Sequence, residues 1–130
     1  MVHCAAVNPC FGVGDIGETM DWYQRNLGFT ADPFPQRPPF VFCILQRDEI
    51  EIMLQRIDGY QKPELYHLRP GGVWDAYIRV AGVKNLYEAV RNKVDIVQHL
   101  HQQPYGLTEF EVKDPNGYVL VFSEETRKAS

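Results

Sequence analysis

Residues 107–123 have the sequence LTEFEVKDPNGYVLVFS, which predicts two strands, 107–113 and 118–123, joined by a tight turn. Asp114 accepts backbone hydrogen bonds at the start of such a turn. The proline after it fixes its own φ, and Gly117 takes the positive φ that a hairpin bulge requires. Because every turn position has a physical role, the stretch predicts an antiparallel hairpin.

The first half of the chain predicts a strand, a helix and further strands. The predicted strands are 7–13, 40–46 and 50–55. Asp15 stands where an N-cap begins a helix, and Gly28 supplies its end. The proline-rich stretch 32–39 must be extended or looped, and residues 47–48 form the turn between the last two strands.

The second half repeats this plan and finishes with the hairpin. Strands are predicted at 73–80 and 96–101, and the apolar stripe of the helix between them consists of Val83, Leu86, Tyr87, Val90 and Val94. The sequence thus predicts one α+β domain over residues 1–130, with repeat units at about 5–58 and 73–124. Because one helix covers only one face of a sheet, each unit leaves a face open, and two open faces make a cleft.

Composition excludes several classes of function. The chain has 130 residues, 45% hydrophobic and 23% charged, with a net charge of -4, which is ordinary for one globular domain. Lys and Arg are scattered, so we expect no nucleic-acid partner. No apolar run approaches the roughly 20 residues that span a bilayer, and we expect neither a membrane segment nor a leader. Three cysteines, an odd number, favour a reducing compartment, and hence the cytoplasm.

Three sequence motifs resemble those of a known family. The sequence WYQRNLGF at 22–29 looks like the "FY…LGF" helix end of the glyoxalase/bleomycin-resistance/dioxygenase (vicinal oxygen chelate) superfamily. YGLTEF at 105–110 and DPNGY at 114–118 are similar to its "WG-x-x-EF…DPDGN" ending, which is frequent in the bleomycin-resistance-like branch. The resemblance covers essentially the whole chain. It implies two βαβββ units that form a curved mixed sheet around a cleft, and a homodimer.

The resemblance also implies where a metal would bind. Metal-dependent members hold a divalent ion with four side chains, and their positions match Asn8, Glu51, Asp75 and Val121. Strand alternation puts all four on the faces turned away from the helices. Val121 cannot coordinate a metal and Asn8 is a weak ligand. We therefore expect no native metal, with a divalent cation at Glu51, Asp75 and Asn8 as the alternative.

Other side chains are candidates for the lining of the cleft. They are Cys10, Phe42, Glu49, Trp74, Tyr77, Arg79, Tyr105 and Glu109. The acidic members, with Glu51 and Asp75, form either an acidic binding surface or a solvated strand face. The aromatic members either stack on a ligand or belong to the core. Arg79 either clamps a ligand carboxylate or pairs with Glu51.

Two further features have simpler explanations than catalysis. Cys10 is expected to be a small lining residue, because no basic neighbour is visible that would activate it as a nucleophile. His99 and His101 form an H-x-H pair on one strand face, which suits two metal ligands, but neither lies at a position that the resemblance assigns to a ligand. A rim or surface role is expected for both.

Three functional hypotheses follow from these residues. The first is the binding of a small aromatic or cationic organic molecule in a metal-free cleft, as the bleomycin-resistance-like resemblance implies. The alternative is a lyase, isomerase or dioxygenase in which a divalent metal polarises a vicinal-oxygen substrate. In that case Glu51 is the candidate catalytic base, and metal-free proton transfer by Glu51 is a third possibility.

Overall fold

The computed structural model describes residues 1–70 and 72–126. In this part of the chain the elements are β1 (Cys10–Val13), α1 (Ile16–Leu27), β2 (Thr30–Phe34), β3 (Phe42–Arg47), β4 (Ile50–Arg56), β5 (Ala76–Arg79), α2 (Val83–Val90), β6 (Asp95–Gln102), β7 (Leu107–Lys113) and β8 (Val119–Glu125). They form two four-stranded mixed sheets. Each repeat begins with a strand and a helix and continues with three further strands. The predicted α+β class with two βαβββ repeats is confirmed.

The chain divides into two compact units, Met1–Gln61 and Lys62–Ser130. The first unit has the strand order β1-β4-β3-β2, with β1 parallel to β4 and the other pairs antiparallel. Asp15 caps α1, since its Oδ1 accepts the N–H of Glu18 at 3.0 Å. Gly28, with a φ of 69°, ends the helix in the left-handed conformation. Both predicted ends of α1 are confirmed.

The first unit has one strand that was not predicted and two boundaries that need correction. Residues 30–34 form strand β2, which agrees with the extended conformation expected for the start of the proline-rich stretch 32–39 but was not predicted as a paired strand. Pro33 is tolerated because β2 lies at the edge of the sheet, where a missing N–H breaks no central ladder. Strand β1 begins only at Cys10, and Val7 before it is exposed. The turn after β3 is one residue later than predicted, and Asp48 adopts a positive φ of 51° there.

The second unit has the order β5-β8-β7-β6, again with its first and last strands parallel. Helix α2 packs on one face of this sheet, where Tyr87 meets Phe110 with ring centroids 5.2 Å apart. Phe110 stacks in turn on Phe122 at 5.4 Å. Since neighbouring residues of a strand point to opposite faces, Glu109 and Glu111 lie on the face turned away from α2.

Strand β5 is shorter than the predicted strand 73–80, and α2 ends at Val90, before Val94. The Asp75 carboxylate accepts the N–H of Val119 at 2.8 Å, and the Asp75 N–H donates to the Val119 carbonyl at 2.9 Å. The paired register of β5 and β8 begins at Ala76, opposite Leu120. Trp74 and Asp75 consequently belong to the connecting segment, defined here as residues 62–70 and 72–75.

The predicted hairpin between β7 and β8 is confirmed. Asp114 Oδ1 accepts the N–H groups of Asn116 at 2.8 Å and of Tyr118 at 2.9 Å. Gly117 has a φ of 90°, which only glycine adopts without strain. Strands β7 and β8 then pair antiparallel from Lys113 and Val119 outward.

The N-terminus of α2 is capped by a strand and not by its own sequence. The cap residue Gly82 has no side chain to offer, and Glu124 of β8 accepts the N–H groups of Gly82 and Val83 at 3.1 Å each. These two hydrogen bonds lower the pKa of Glu124. Neither helix of the described residues is long and apolar enough to cross a membrane.

Candidate functional site

Two buried carboxylates occupy the face of the second sheet that is turned away from α2. Glu109 and Glu111 of β7 are 0% and 1% exposed. Tyr77 of β5 and the β8 residues Val121 and Ser123 share this face, because each is a strand neighbour in register with β7 or with β8. We call this surface the acidic face. The sequence predicted both Tyr77 and Glu109 for the lining of the cleft, and in the structure both lie on the acidic face.

Glu109 accepts hydrogen bonds from three neutral donors. The Tyr77 hydroxyl donates to Oε2 at 2.6 Å, and the Tyr105 hydroxyl donates to Oε1 at 2.8 Å. The Gln103 amide also donates to Oε1, at 2.9 Å. The loop between β6 and β7 thus supplies two of the three donors, and together they fix the orientation of the carboxylate.

Two side chains of the connecting segment donate hydrogen bonds to Glu111. The Tyr66 hydroxyl donates to Oε1 at 2.8 Å, and the indole N–H of Trp74 donates to Oε2 at 3.2 Å. The Trp74 ring is also tilted against Tyr77, with centroids 5.2 Å apart. The donors of the two carboxylates are therefore in contact with each other, and the acidic face is one connected network.

Neither buried carboxylate has a cationic partner within the part of the chain that the structure describes. In residues 1–70 and 72–126, no Lys, Arg or His side chain forms an ion pair with Glu109 or Glu111. A buried carboxylate without a cation is costly, even when hydrogen bonds satisfy its oxygens. Within the described residues, the charge that these two carboxylates carry when ionised is therefore met by neutral donors alone.

Three aromatic rings of this network remain partly open to solvent. Trp74 is 40%, Tyr77 38% and Tyr105 55% exposed. Burial of the phenol raises the pKa of Tyr77, and the hydrogen bond to Glu109 adds to it. The same two causes, in the same order, raise the pKa of Tyr105. Both phenols thus act as donors to Glu109, and part of each residue remains open to solvent.

The first unit holds five of the predicted site residues. The Asn8 amide donates to Glu51 Oε2 at 3.4 Å, and Glu51 is half-buried on β4. Cys10 lies at the start of β1 and is exposed as a residue. Partial burial of its sulfur still raises the pKa of the thiol, which disfavours the nucleophilic thiolate. Phe42 is half-buried on β3. Glu49 lies in the turn between β3 and β4, exposed and outside the strand on which it was expected.

The donors at the predicted metal positions do not fit a metal centre. Val121 is completely buried and offers no ligand atom. Asp75 is already engaged, because its Oδ2 accepts Lys62 Nζ at 2.9 Å and the N–H of Val119 at 2.8 Å. In the described part of the chain, no three His, Cys, Asp or Glu side chains come together as a metal site requires.

The two strand histidines do not converge. His99 Nδ1 lies 2.7 Å from the Tyr87 hydroxyl, on the side of α2. A register shift separates it from His101, which is the strand partner of Glu109 on the opposite face. The predicted H-x-H face is wrong, because a bulge of this kind reverses the alternation of side chains. Arg79 is exposed on β5, next along the acidic face after Tyr77.

Several residues on or beside the acidic face were not predicted from the sequence. Tyr66, Gln103 and Glu111 belong to its hydrogen-bond network. Ser123 lies on the same face, and Lys62 pairs with Asp75. Glu111 carried a usable signal, since it follows Glu109 by two positions on a predicted strand and must share its face. Tyr66 and Lys62 carried none, because they lie in an irregular segment whose course no periodicity defines.

The chain belongs to the Glyoxalase/Bleomycin resistance protein/Dioxygenase superfamily, whose family model matches residues 1–122. The family resemblance seen in the sequence is thereby confirmed. Comparison with curated proteins finds no match.

Solved structures share the fold over nearly the whole chain. A glyoxalase-related enzyme from Clostridium phytofermentans has a TM-score of 0.74 at 17% identity, covering 95% of this chain and 97% of its own. The bleomycin-binding protein of the bleomycin-producing Streptomyces verticillus, complexed with copper(II)-bleomycin, has a TM-score of 0.69 at 20% identity, covering 98% and 100%. A bleomycin resistance determinant encoded on the transposon Tn5 has a TM-score of 0.71 at 20% identity, covering 94% and 98%.

Proposed function

We propose that this protein binds a small aromatic organic cation at the acidic face of its second unit, without a metal ion. The observation that carries the proposal is the pair of buried carboxylates, Glu109 and Glu111, whose only partners in the described chain are neutral donors. A ligand cation would supply the missing positive charge. Its organic part would contact the exposed rings of Trp74, Tyr77 and Tyr105.

The physical basis is a combination of charge and stacking. A cation over an aromatic face gains about 0.5–2 kcal/mol, with the larger values in desolvated sites. The carboxylates behind the rings add a Coulombic attraction that water screens poorly, since both are buried. Because five donor groups hold these carboxylates in place, the site is ordered before a ligand arrives, which lowers the entropic cost of binding.

The names of two solved relatives support a binding role, although a glyoxalase-related enzyme shares the fold as well. One was crystallised as a bleomycin-binding protein with copper(II)-bleomycin, and another is a bleomycin resistance determinant. What this chain shares with them under this proposal is the class of behaviour, capture of a small organic molecule, and not the identity of the ligand. The homodimer and the cytoplasmic location that we expect from the sequence stay predictions.

Isothermal titration calorimetry tests the proposal. The probes are metal-free bleomycin and a planar aromatic cation such as ethidium, each with and without EDTA. We expect stoichiometric binding that EDTA does not change, and an affinity at least about tenfold lower in the Glu109→Gln, Glu111→Gln double variant, since both charges are lost. Glu88→Gln on α2, an exposed acid paired with Arg91 at 3.5 Å, is the matched control and should bind like the wild type.

The opposite result would favour the metal-dependent alternative. If neither probe bound the wild type, and Mn²⁺, Ni²⁺ or Zn²⁺ raised the melting temperature in a way that EDTA reversed, then a lyase, isomerase or dioxygenase role would replace the binding role. Glu51 would then be the residue to test as a base, because it is half-buried and, among the described residues, its carboxylate accepts only the long Asn8 contact of 3.4 Å.

A further inference from the structure

One buried side chain of the acidic face lacks a hydrogen-bond partner. Ser123 is completely buried on β8, and its Oγ has no partner among residues 1–70 and 72–126. It is the strand partner of Glu109, so the two side chains point to the same side of the sheet. Buried hydroxyls are nearly always hydrogen-bonded, and an exception calls for an explanation.

A neighbouring carboxylate oxygen on the acidic face still has an unused acceptor position. Glu109 Oε1 accepts from Gln103 and Tyr105, whereas Oε2 accepts only from Tyr77 among the described residues. A carboxylate oxygen has two acceptor positions, so Oε2 retains one. Ser123 lies beside the Tyr77 hydroxyl and lowers the pKa of that phenol, against the larger opposing effects of burial and of Glu109, but its Oγ does not reach this hydroxyl with the geometry of a hydrogen bond.

We propose that Ser123, Glu109 Oε2 and the Tyr77 hydroxyl form a subsite for a protonated primary or secondary amine, an inference that rests on the proposed function. One N–H of the ligand donates to the remaining position of Oε2. A second N–H of the ligand donates to Ser123 Oγ, while Tyr77 keeps its hydrogen bond to Oε2. Because Glu109 and Ser123 are completely buried, the amine reaches them where the 55% exposed Tyr105 moves aside. In this arrangement a bound ligand satisfies the buried hydroxyl.

This geometry specifies which cations the site takes. A quaternary ammonium ion has charge but no N–H, so it can interact with the rings and leaves both Oε2 and Ser123 unsatisfied. A protonated amine of the same shape makes both hydrogen bonds, and hydrogen bonds to a charged group are stronger than neutral ones. Arg79, the partner of Ser123 on β5, is exposed, so solvent screens its like charge from the subsite.

Calorimetry with a matched ligand pair tests the inference. The probes are phenethylamine and phenethyltrimethylammonium, which share the ring and the charge and differ in N–H donors. We expect the wild type to prefer the amine by about tenfold, roughly the effect of one charged hydrogen bond. Ser123→Ala should reduce this preference to about threefold or less, by weakening the amine and leaving the quaternary ion unchanged. Melting curves verify that the variant is folded.

Thr108→Val is the matched control. It removes a hydroxyl from the neighbouring strand β7, but one that already bonds Thr126 Oγ1 at 2.7 Å and that alternates to the other face, so it should keep the wild-type preference. Equal binding of both probes, or an unchanged preference in Ser123→Ala, overturns the subsite and leaves the proposed function standing. Failure of both probes, of bleomycin and of ethidium to bind overturns the proposed function together with the subsite.

Discussion

Replacing Lys62 by Met should destabilise the second unit far more than the loss of an ordinary surface ion pair. Lys62 Nζ lies 2.9 Å from Asp75 Oδ2 and 3.2 Å from the carbonyl oxygen of Gly117, and 5.7 Å from the centre of the Tyr118 ring. The side chains of Lys62 and Asp75 are only 9% and 21% exposed. Met keeps the packing of the aliphatic stem and removes the charge.

The magnitude follows from what remains around Asp75. Removing one partner of a buried pair costs roughly 3–5 kcal/mol, because the other charge is left uncompensated. Asp75 retains some solvent and the N–H of Val119 at 2.8 Å, so we expect the lower end, about 3 kcal/mol. For a chain of this size, that lowers the melting temperature by on the order of 10 °C.

Urea unfolding followed by circular dichroism measures this cost, with Arg25→Met as the control. Arg25 pairs with Asp21 at 2.8 Å, but these side chains are 65% and 59% exposed, and such a pair contributes only about 0.3–0.5 kcal/mol. The double variant Lys62→Met, Asp75→Asn should recover part of the loss, since no unpaired charge remains. Equal destabilisation by Lys62→Met and Arg25→Met, or no recovery in the double variant, would refute the reasoning.

Three further outcomes can be checked by the same unfolding measurements. Asp15→Ala removes the cap on Glu18 N and should cost about 1 kcal/mol, whereas Asp15→Asn should cost much less. Gly28→Ala forces a side chain to a φ of 69° and should cost about 1–2 kcal/mol; a neutral result would contradict the left-handed cap. The pKa of Tyr66 is raised above its ordinary 10.0, by burial first and then by Glu111. Because the unfolded phenol then loses its proton at a lower pH than the folded one, stability should fall as pH rises above about 10. Tyr66→Phe should make that fall shallower, and an unchanged slope would count against the buried phenol.

Most of the fold could be predicted because its boundaries depend on local chemistry. The cap at Asp15, the left-handed Gly28 and the hairpin turn at Asp114 each act within four residues. Strand β2 could not be predicted, since Pro33 contradicts strand propensity and the strand exists only through its pairing with β3. The cap of α2 was equally hidden, because Glu124 is distant in sequence from the helix that it caps.

The candidate site was predicted in part, for a related reason. Alternation placed Tyr77, Glu109 and Asp75 on faces away from the helix, which depends only on the period of a strand. The partners of these residues could not be placed, since Lys62 and Tyr66 come from a segment without periodicity. Lys62 decides the interpretation of Asp75. The sequence suggested that Asp75 is a metal ligand, whereas the structure pairs its carboxylate with this lysine.

Trp74 has a consequence beyond its bond to Glu111. The chain contains two tryptophans, and Trp22 lies in the unit Met1–Gln61 while Trp74 lies in Lys62–Ser130. Trp22→Phe and Trp74→Phe therefore leave one intrinsic fluorophore in each repeat. If the emission of both variants changes at one urea concentration, the repeats unfold as a single cooperative unit; if the midpoints differ, this duplicated architecture melts one half at a time.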